Sequence, residues 1–282
     1  MTYLDILLHI DSYPKPTPDL AIDEAIAIAA QFGGKITGLA VEVIIPMRSN
    51  RLADYLIGLS AIADGEEARS RKASQEGLKH FTSHAKAANV FDAAISARVN
   101  HFDVADYVAK LARTRDLCIL PLVGGYDGQL EVAKSVVFSS GRPMLIFRSG
   151  EVGGLVVGPN LVVVAWDGSH NAARALADAL PILALAKQVR ILSVLDDKPD
   201  VEINQGADAQ RHLMMHGVPA SLDEVKSDGQ AIGSVLDRYV QQHKPDLLVM
   251  GAYGHSRARE FLLGGATEHT LNDPPCPVLL SH

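Results

Sequence analysis

A chain that spells the same order of strands and helices twice has few folds open to it. The first half opens with Tyr3-Leu-Asp-Ile-Leu-Leu-His-Ile-Asp11, an apolar run closed by an aspartate. The second opens with Asn160-Leu-Val-Val-Val-Ala-Trp-Asp167, of the same form. Helical faces follow each: Ile22, Ala25, Ile26 and Ala29 in one half, Ala173, Leu176, Ala177 and Leu180 in the other. Both sets recur at i, i+3, i+4 and i+7, the spacing of one helix face. A second apolar run comes next in each half, at Lys35–Val43 and at Gln188–Leu195. Further on, Val104, Tyr107, Val108 and Leu111 precede the run Asp116–Leu120, just as Ile232, Val235, Leu236 and Tyr239 precede Asp246–Met250. Each half ends on a proline-led apolar run, Pro143–Phe147 and Pro277–Leu280.

Alternating β and α segments with continuously apolar strands predict parallel sheets covered on both faces. Right-handed crossovers then make each half a doubly wound α/β domain with five strands. The joint falls at Gly150-Glu-Val-Gly-Gly154, so residues 1–150 and 155–282 are expected to be the two domains. The extra length of the first copy lies mostly in residues 44–89, where Glu66–Ala88 reads as a long helix. The net charge of −7 argues against nucleic acid as a partner. No positively charged leader precedes the first strand, and no apolar run approaches the ~20 residues of a membrane span. A cytoplasmic protein with no membrane partner is the expectation. Cys118 and Cys276 lie far apart and read as inert free thiols.

The glycine-rich stretch after the last long apolar run carries the functional signal. It reads Gly251-Ala-Tyr-Gly-His-Ser-Arg-Ala-Arg-Glu-Phe-Leu-Leu-Gly-Gly-Ala-Thr267. In open α/β sheets, ligands sit beyond the carboxyl ends of the strands where strand order reverses. Asp167, Val194, Met250 and Gly251 all fall at such ends. A turn at Gly251–Gly254 exposes backbone N–H groups, and Gly264-Gly265-Ala266-Thr267 opens the final helix. A helix N-terminus with bare amides suits an anion, phosphate above all. Thr267 adds a hydroxyl or caps the helix, and Asp167 is placed to accept from a ribose hydroxyl or an adenine amino group. Against this stand plainer roles: a tight turn for the glycines, loop orientation for Asp167, and a solvated loop for His255, Arg257 and Arg259.

The whole chain resembles a tandem universal stress protein. Its second half is similar to the family's nucleotide-binding type, whose motif is Gly-x2-Gly-x9-Gly followed by Ser or Thr. Gly251, Gly254 and Gly264 match in residue and spacing. The resemblance implies binding of ATP or a related adenine nucleotide, with Mg as an accompanying ion, and a role in stress response or regulation. It also implies that the halves pair through their last strands as an intramolecular pseudo-dimer, while a homodimer of chains is left open. Gly265 stands where the motif has Ser or Thr, so one hydroxyl donor to the phosphates is missing.

The first half departs further. Aligning Asp116 with Asp246 puts Pro121 at Gly251, the following loop is shorter, and no glycine pair opens its last helix. Glu131 there is expected to repel phosphate. Asp11 survives, but this half is expected to have lost nucleotide binding and closed its concavity. One site per chain follows. A ligand-free interaction module with vestigial sites is the alternative.

Catalysis has little support. No nucleophile elbow, phosphate-binding P-loop or metalloprotease helix is present. Asp167-Gly-Ser-His-Asn171 faintly echoes the phosphate loop of adenine-nucleotide α-hydrolases, and at most slow ATP hydrolysis is expected. His80 and His84 lie four apart on the long helix with no third ligand in view, and read as a solvent-facing pair.

Overall fold

The computed structural model describes residues 2–46, 59–124, 127–195, 205–252 and 265–282. In the N-terminal half, β1 (Asp5–Ile10), α1 (Asp19–Gln31), β2 (Lys35–Ile44), α2 (Leu59–Ala87) and β3 (Phe91–Asn100) are followed by α3 (Val104–Ala112), β4 (Leu117–Leu122), α4 (Asp127–Ser139) and β5 (Met144–Arg148). A short α5 (Gly153–Val157) lies at the joint. The second half repeats the order: β6 (Leu161–Ala165), α6 (His170–Leu183), β7 (Gln188–Val194), α7 (Gln205–Met215) and β8 (Ala220–Val225). It closes with α8 (Ile232–His243), β9 (Leu247–Gly251), α9 (Gly265–Asn272) and β10 (Val278–Ser281). The doubly wound α/β architecture is as the periodicities require. The long helix is also present, spanning Leu59–Ala87.

The strands form one sheet ten strands wide, in the order β3-β2-β1-β4-β5-β10-β9-β6-β7-β8. The expected pair of five-stranded sheets is therefore a single continuous sheet. Its centre is an antiparallel pairing of β5 with β10, with Val278 opposite Ile146 and Leu280 opposite Met144. Apolarity explains the placement. The side chains of Met144–Phe147 and Val278–Ser281 are buried throughout, so neither strand can serve as a wet edge. The strands left at the two ends, β3 and β8, carry polar and charged residues. β3 reads Phe-Asp-Ala-Ala-Ile-Ser-Ala-Arg-Val-Asn, with exposed positions alternating along it.

The two faces of the sheet hold two separate cores. One gathers residues of α1, α2, α6 and α7, including Ile22, Phe81 and Leu176. The other gathers residues of α3, α4, α8 and α9, including Val108, Val136, Leu236 and Leu271. Internal repetition extends to polar detail. Asp246 accepts from the amides of Asn160 and Leu161 at 2.7 and 3.1 Å. Its counterpart Asp116 accepts from Leu4 and Asp5 at 2.9 and 3.0 Å. In each half an aspartate opening the fourth strand clamps the start of the first, and satisfies amides that strand pairing leaves over. The joint is packed as well, since Val152 and Leu155 belong to the core rather than to an exposed linker.

Both thiols are sealed in. Burial pushes Cys118 and Cys276 up to about 12. Iodoacetamide at pH 8 is expected to modify neither in the folded protein and both once guanidinium has unfolded it, as read by intact mass spectrometry.

Candidate functional site

In each half the sheet order reverses between the first and fourth strands: β1 pairs with both β2 and β4, and β6 with both β7 and β9. A crevice opens at the carboxyl end of each such junction.

The C-terminal crevice has a volume of about 270 Å³. Asp167, Val194, Met250, Gly251, Gly265, Ala266 and Thr267 all line it, drawn from the ends of β6, β7 and β9 and the start of α9. Gly254 and Gly264 lie outside the described residues, as do His255, Arg257 and Arg259. Ala231, Ile232, Gly233 and Ser234 complete the wall from the start of α8. Sequence reasoning had used Ile232 only as a core position of its helix. The signal was present nonetheless, because the N-terminus of every crossover helix lies at the carboxyl edge of a parallel sheet. Much of the lining is apolar, with Ala165, Leu192, Val194, Ile232, Leu236 and Met250.

Local chemistry assigns a more exact part to several of these residues. Asp167 Oδ1 accepts from the Ser169 amide at 3.0 Å, and Ser169 Oγ accepts from the Ala172 amide at 3.1 Å. Asp167-Gly-Ser-His-Asn171, with its echo of a phosphate loop, is thus the capped start of α6. One carboxylate oxygen of Asp167 orients that turn while the residue remains part of the crevice wall.

Gly251 is there for packing. A Cβ on it would lie 2.5 Å from the backbone nitrogen of Ala172 and 2.5 Å from the carbonyl carbon of Asn171. Only glycine lets the end of β9 approach α6 so closely. Beside it, the Ala252 amide donates to the Ser281 carbonyl at 2.7 Å, and the Ala252 carbonyl accepts from Asn171 Nδ2 at 2.5 Å. Within the turn expected to expose backbone N–H groups, the amide of Ala252 is thus already used to anchor the strand. The helix starts that reach the crevice among the described residues are those of α9, at Gly265 and Ala266, and of α8, at Ile232 and Gly233. The first turn of a helix leaves amide donors without intrahelical partners. Glu268, in the first turn of α9, offsets part of the positive potential there.

The N-terminal half overturns one expectation. Its crevice is open, with a volume of about 580 Å³. Its wall includes small side chains that cannot fill it, such as Ser12, Ala105, Gly128 and Ser135. Glu131 does line it, but pairs with Lys134 at 3.1 Å. In this crevice the strand-end aspartate is held by a side chain from another helix. Gln129 Nε2 donates to Asp11 Oδ2 at 2.6 Å and to the Pro121 carbonyl at 2.9 Å, while its Oε1 accepts from the Val123 amide at 3.0 Å. Asp11 Oδ1 lies 3.1 Å from His9 Nε2. One buried glutamine thus occupies the carboxylate, the strand-end carbonyl and a loop amide together.

A doubly wound α/β protein whose two switch points each form a crevice is the class that fold and site define. Residues 160–282 match the model of the Universal stress protein family. This half of the chain is a universal stress protein domain, and the N-terminal half repeats its fold. Universal stress protein Slr1230 of Synechocystis is 27% identical over 121 residues, a match spanning 42% of this chain and 41% of that protein. The alignment thus reaches less than half of that relative's length. Among solved structures, a universal stress protein from Archaeoglobus fulgidus is similar over 98% of this chain and 95% of its own, with a TM-score of 0.72 at 16% identity. The protein PA1789 of Pseudomonas aeruginosa, described as functionally unknown, is similar over 98% and 92%, with a TM-score of 0.54 at 16% identity. At such identities the likeness concerns the fold.

Proposed function

We propose that residues 155–282 bind ATP or a related adenine nucleotide, one per chain, and that occupancy tunes partner interactions in a stress-response or regulatory role. Residues 1–150 serve as a degenerate partner domain, joined to the first through β5 and β10 as an intramolecular pseudo-dimer. The observation that carries this reading is the convergence of Asp167, Val194, Met250, Gly251 and the Gly265–Thr267 helix start on one mostly apolar crevice. An apolar wall suits a purine ring, a carboxylate suits a ribose hydroxyl, and the amides of α9 suit a phosphate. Mg²⁺, where it takes part, would arrive coordinated by the phosphates. The engagement of Asp11 by Gln129 supports one site rather than two.

Gly265 provides the test. A Cβ added there meets nothing within 4 Å, so serine fits without strain and supplies the hydroxyl that the family motif carries. A hydrogen bond to a charged group is worth ~1.5–3 kcal/mol, or about ten- to a hundredfold in affinity. Calorimetric titration of the full chain with ATP and AMP is expected to give one site per chain, tightened by that factor in Gly265→Ser. Absence of heat in both proteins, with no nucleotide retained through purification, would favour the ligand-free interaction module. The amide already consumed at Ala252 and the hydroxyl missing at Gly265 are the observations on that side.

A further inference from the structure

Away from both crevices, two helices of the N-terminal half bring three metal-binding side chains to one point. His80 and His84, one turn apart on α2, converge on a single carboxylate oxygen of α1. Asp23 Oδ1 lies 2.8 Å from His80 Nε2 and 2.6 Å from His84 Nδ1. The two rings lie with centroids 3.9 Å apart, and one ligand atom from each of the three residues falls within 4.8 Å of the others. The histidines do not form the solvent-facing pair their spacing suggested, because the His80 side chain is only 19% exposed.

Packing brings the helices to this register. Gly77, one turn before His80, lets α2 pass close to the sheet and to α1. A Cβ there would lie 3.0 Å from Ile10 Cγ2 and 3.9 Å from Ile22 Cδ1. Phe81 and Ala85, the residues following each histidine, are fully buried. The core therefore sets the rotation of α2, and that rotation carries both imidazoles to the α1 side.

We propose that Asp23, His80 and His84 form a binding site for a late first-row divalent cation of the zinc class. Two imidazoles and one carboxylate are a ligand set such ions favour over calcium or magnesium, which prefer oxygen alone. Ligand atoms around a tetrahedral ion with bonds near 2.1 Å stand about 3.4 Å apart. The two Asp23–His separations need to open by less than about 1 Å to reach that spacing. Asp19 Oδ2 faces the other nitrogen of His80 at 3.6 Å. A carboxylate behind a ligating imidazole fixes its tautomer and raises its basicity, and small closure brings this one into hydrogen-bonding range. With His84 about half exposed, the fourth coordination position faces solvent and takes water. Bound metal would tie α1 to α2.

Metal-stripped full-length protein should be titrated with Zn²⁺ by calorimetry and with Co²⁺ by visible absorption. We expect one ion per chain with the intense d–d bands of tetrahedral cobalt. His84→Ala and Asp23→Asn each weaken binding by at least about tenfold. His212 and His216, which meet edge to face on the second half with ring centroids 4.7 Å apart, supply the control. The double change His212→Ala with His216→Ala leaves the site intact. No ion bound by the folded chain, unchanged affinity in both ligand variants, or loss of binding in the control would each overturn the proposal. Should circular dichroism show either ligand variant unfolded, His84→Gln decides by the same criterion.

Discussion

Replacing Gly251 by alanine is expected to lower the unfolding free energy by about 3 kcal/mol, at the upper end of the usual cost of overpacking. The new methyl group meets backbone on its crowded side, the amide nitrogen of Ala172 and the carbonyl carbon of Asn171 both at 2.5 Å. Backbone at the start of a capped helix cannot rotate away as a side-chain tip can. The Asn171–Ala252 hydrogen bond ties α6 to the end of β9 beside the clash, and the Ser169 cap fixes the helix start. For a chain of this size the corresponding fall in melting temperature is about 5 °C. Scanning calorimetry of wild type and variant reads it directly, and an unchanged melting temperature would refute the packing assignment. The prediction also bears on how motif mutants are interpreted. Loss of nucleotide binding in a Gly251 variant reports the junction of β9 with α6 first, so Gly265 is the cleaner probe of the crevice.

The second large effect is expected in the half without the glycine motif. Gln129→Leu keeps the side-chain volume but removes every polar contact the glutamine makes. Asp11 Oδ2, the Pro121 carbonyl and the Val123 amide lose a partner together, in a place where Asp11 is only 7% exposed. A buried group left unpaired costs ~1–3 kcal/mol, and more when charged. His9 still supports Asp11 and water enters the open crevice, so a total loss of about 3 kcal/mol is expected, measured by urea unfolding. ATP affinity in the C-terminal half should be unchanged, because no atom of that crevice is touched. A variant as stable as wild type would mean that the three groups find water at no cost.

Much of the fold was legible because parallel sheets buried on both faces leave continuous apolar runs, and because two copies check each other. The aspartates at 11 and 167, the strands opening at Asp116 and Asp246, and the proline-led closing strands carry the duplication without reference to structure. The joining of ten strands into one sheet rests on long-range pairing of Met144–Ile146 with Val278–Leu280, which short-range periodicity does not encode.

The crevice was legible in part. Strand-end position alone brought Asp167, Val194 and Met250 to it, while Ala231–Ser234 were hidden inside a helix signal that described only their buried face. Motif spacing could not separate a glycine kept for phosphate from one kept for packing, and Gly251 shows the second cause. The state of the N-terminal crevice was misread because loop length and missing glycines say nothing about side-chain size across the wall. Gln129 holds Asp11 there, and its partners at 11, 121 and 123 come from two segments, one of them 118 positions away. Asp23 escaped notice for the same reason, since it lies 57 positions before His80.

The central claim is that an adenylate occupies the crevice between Asp167 and the start of α9 and no equivalent place near Asp11. A crystal structure of the full chain grown with a non-hydrolysable ATP analogue tests it most directly. The account predicts one nucleotide per chain, its base against Val194 and Met250 and its phosphates toward the amides of Gly265 and Ala266. Density for the analogue beside Asp11 and Gln129, or in neither crevice at saturating concentration, would contradict it.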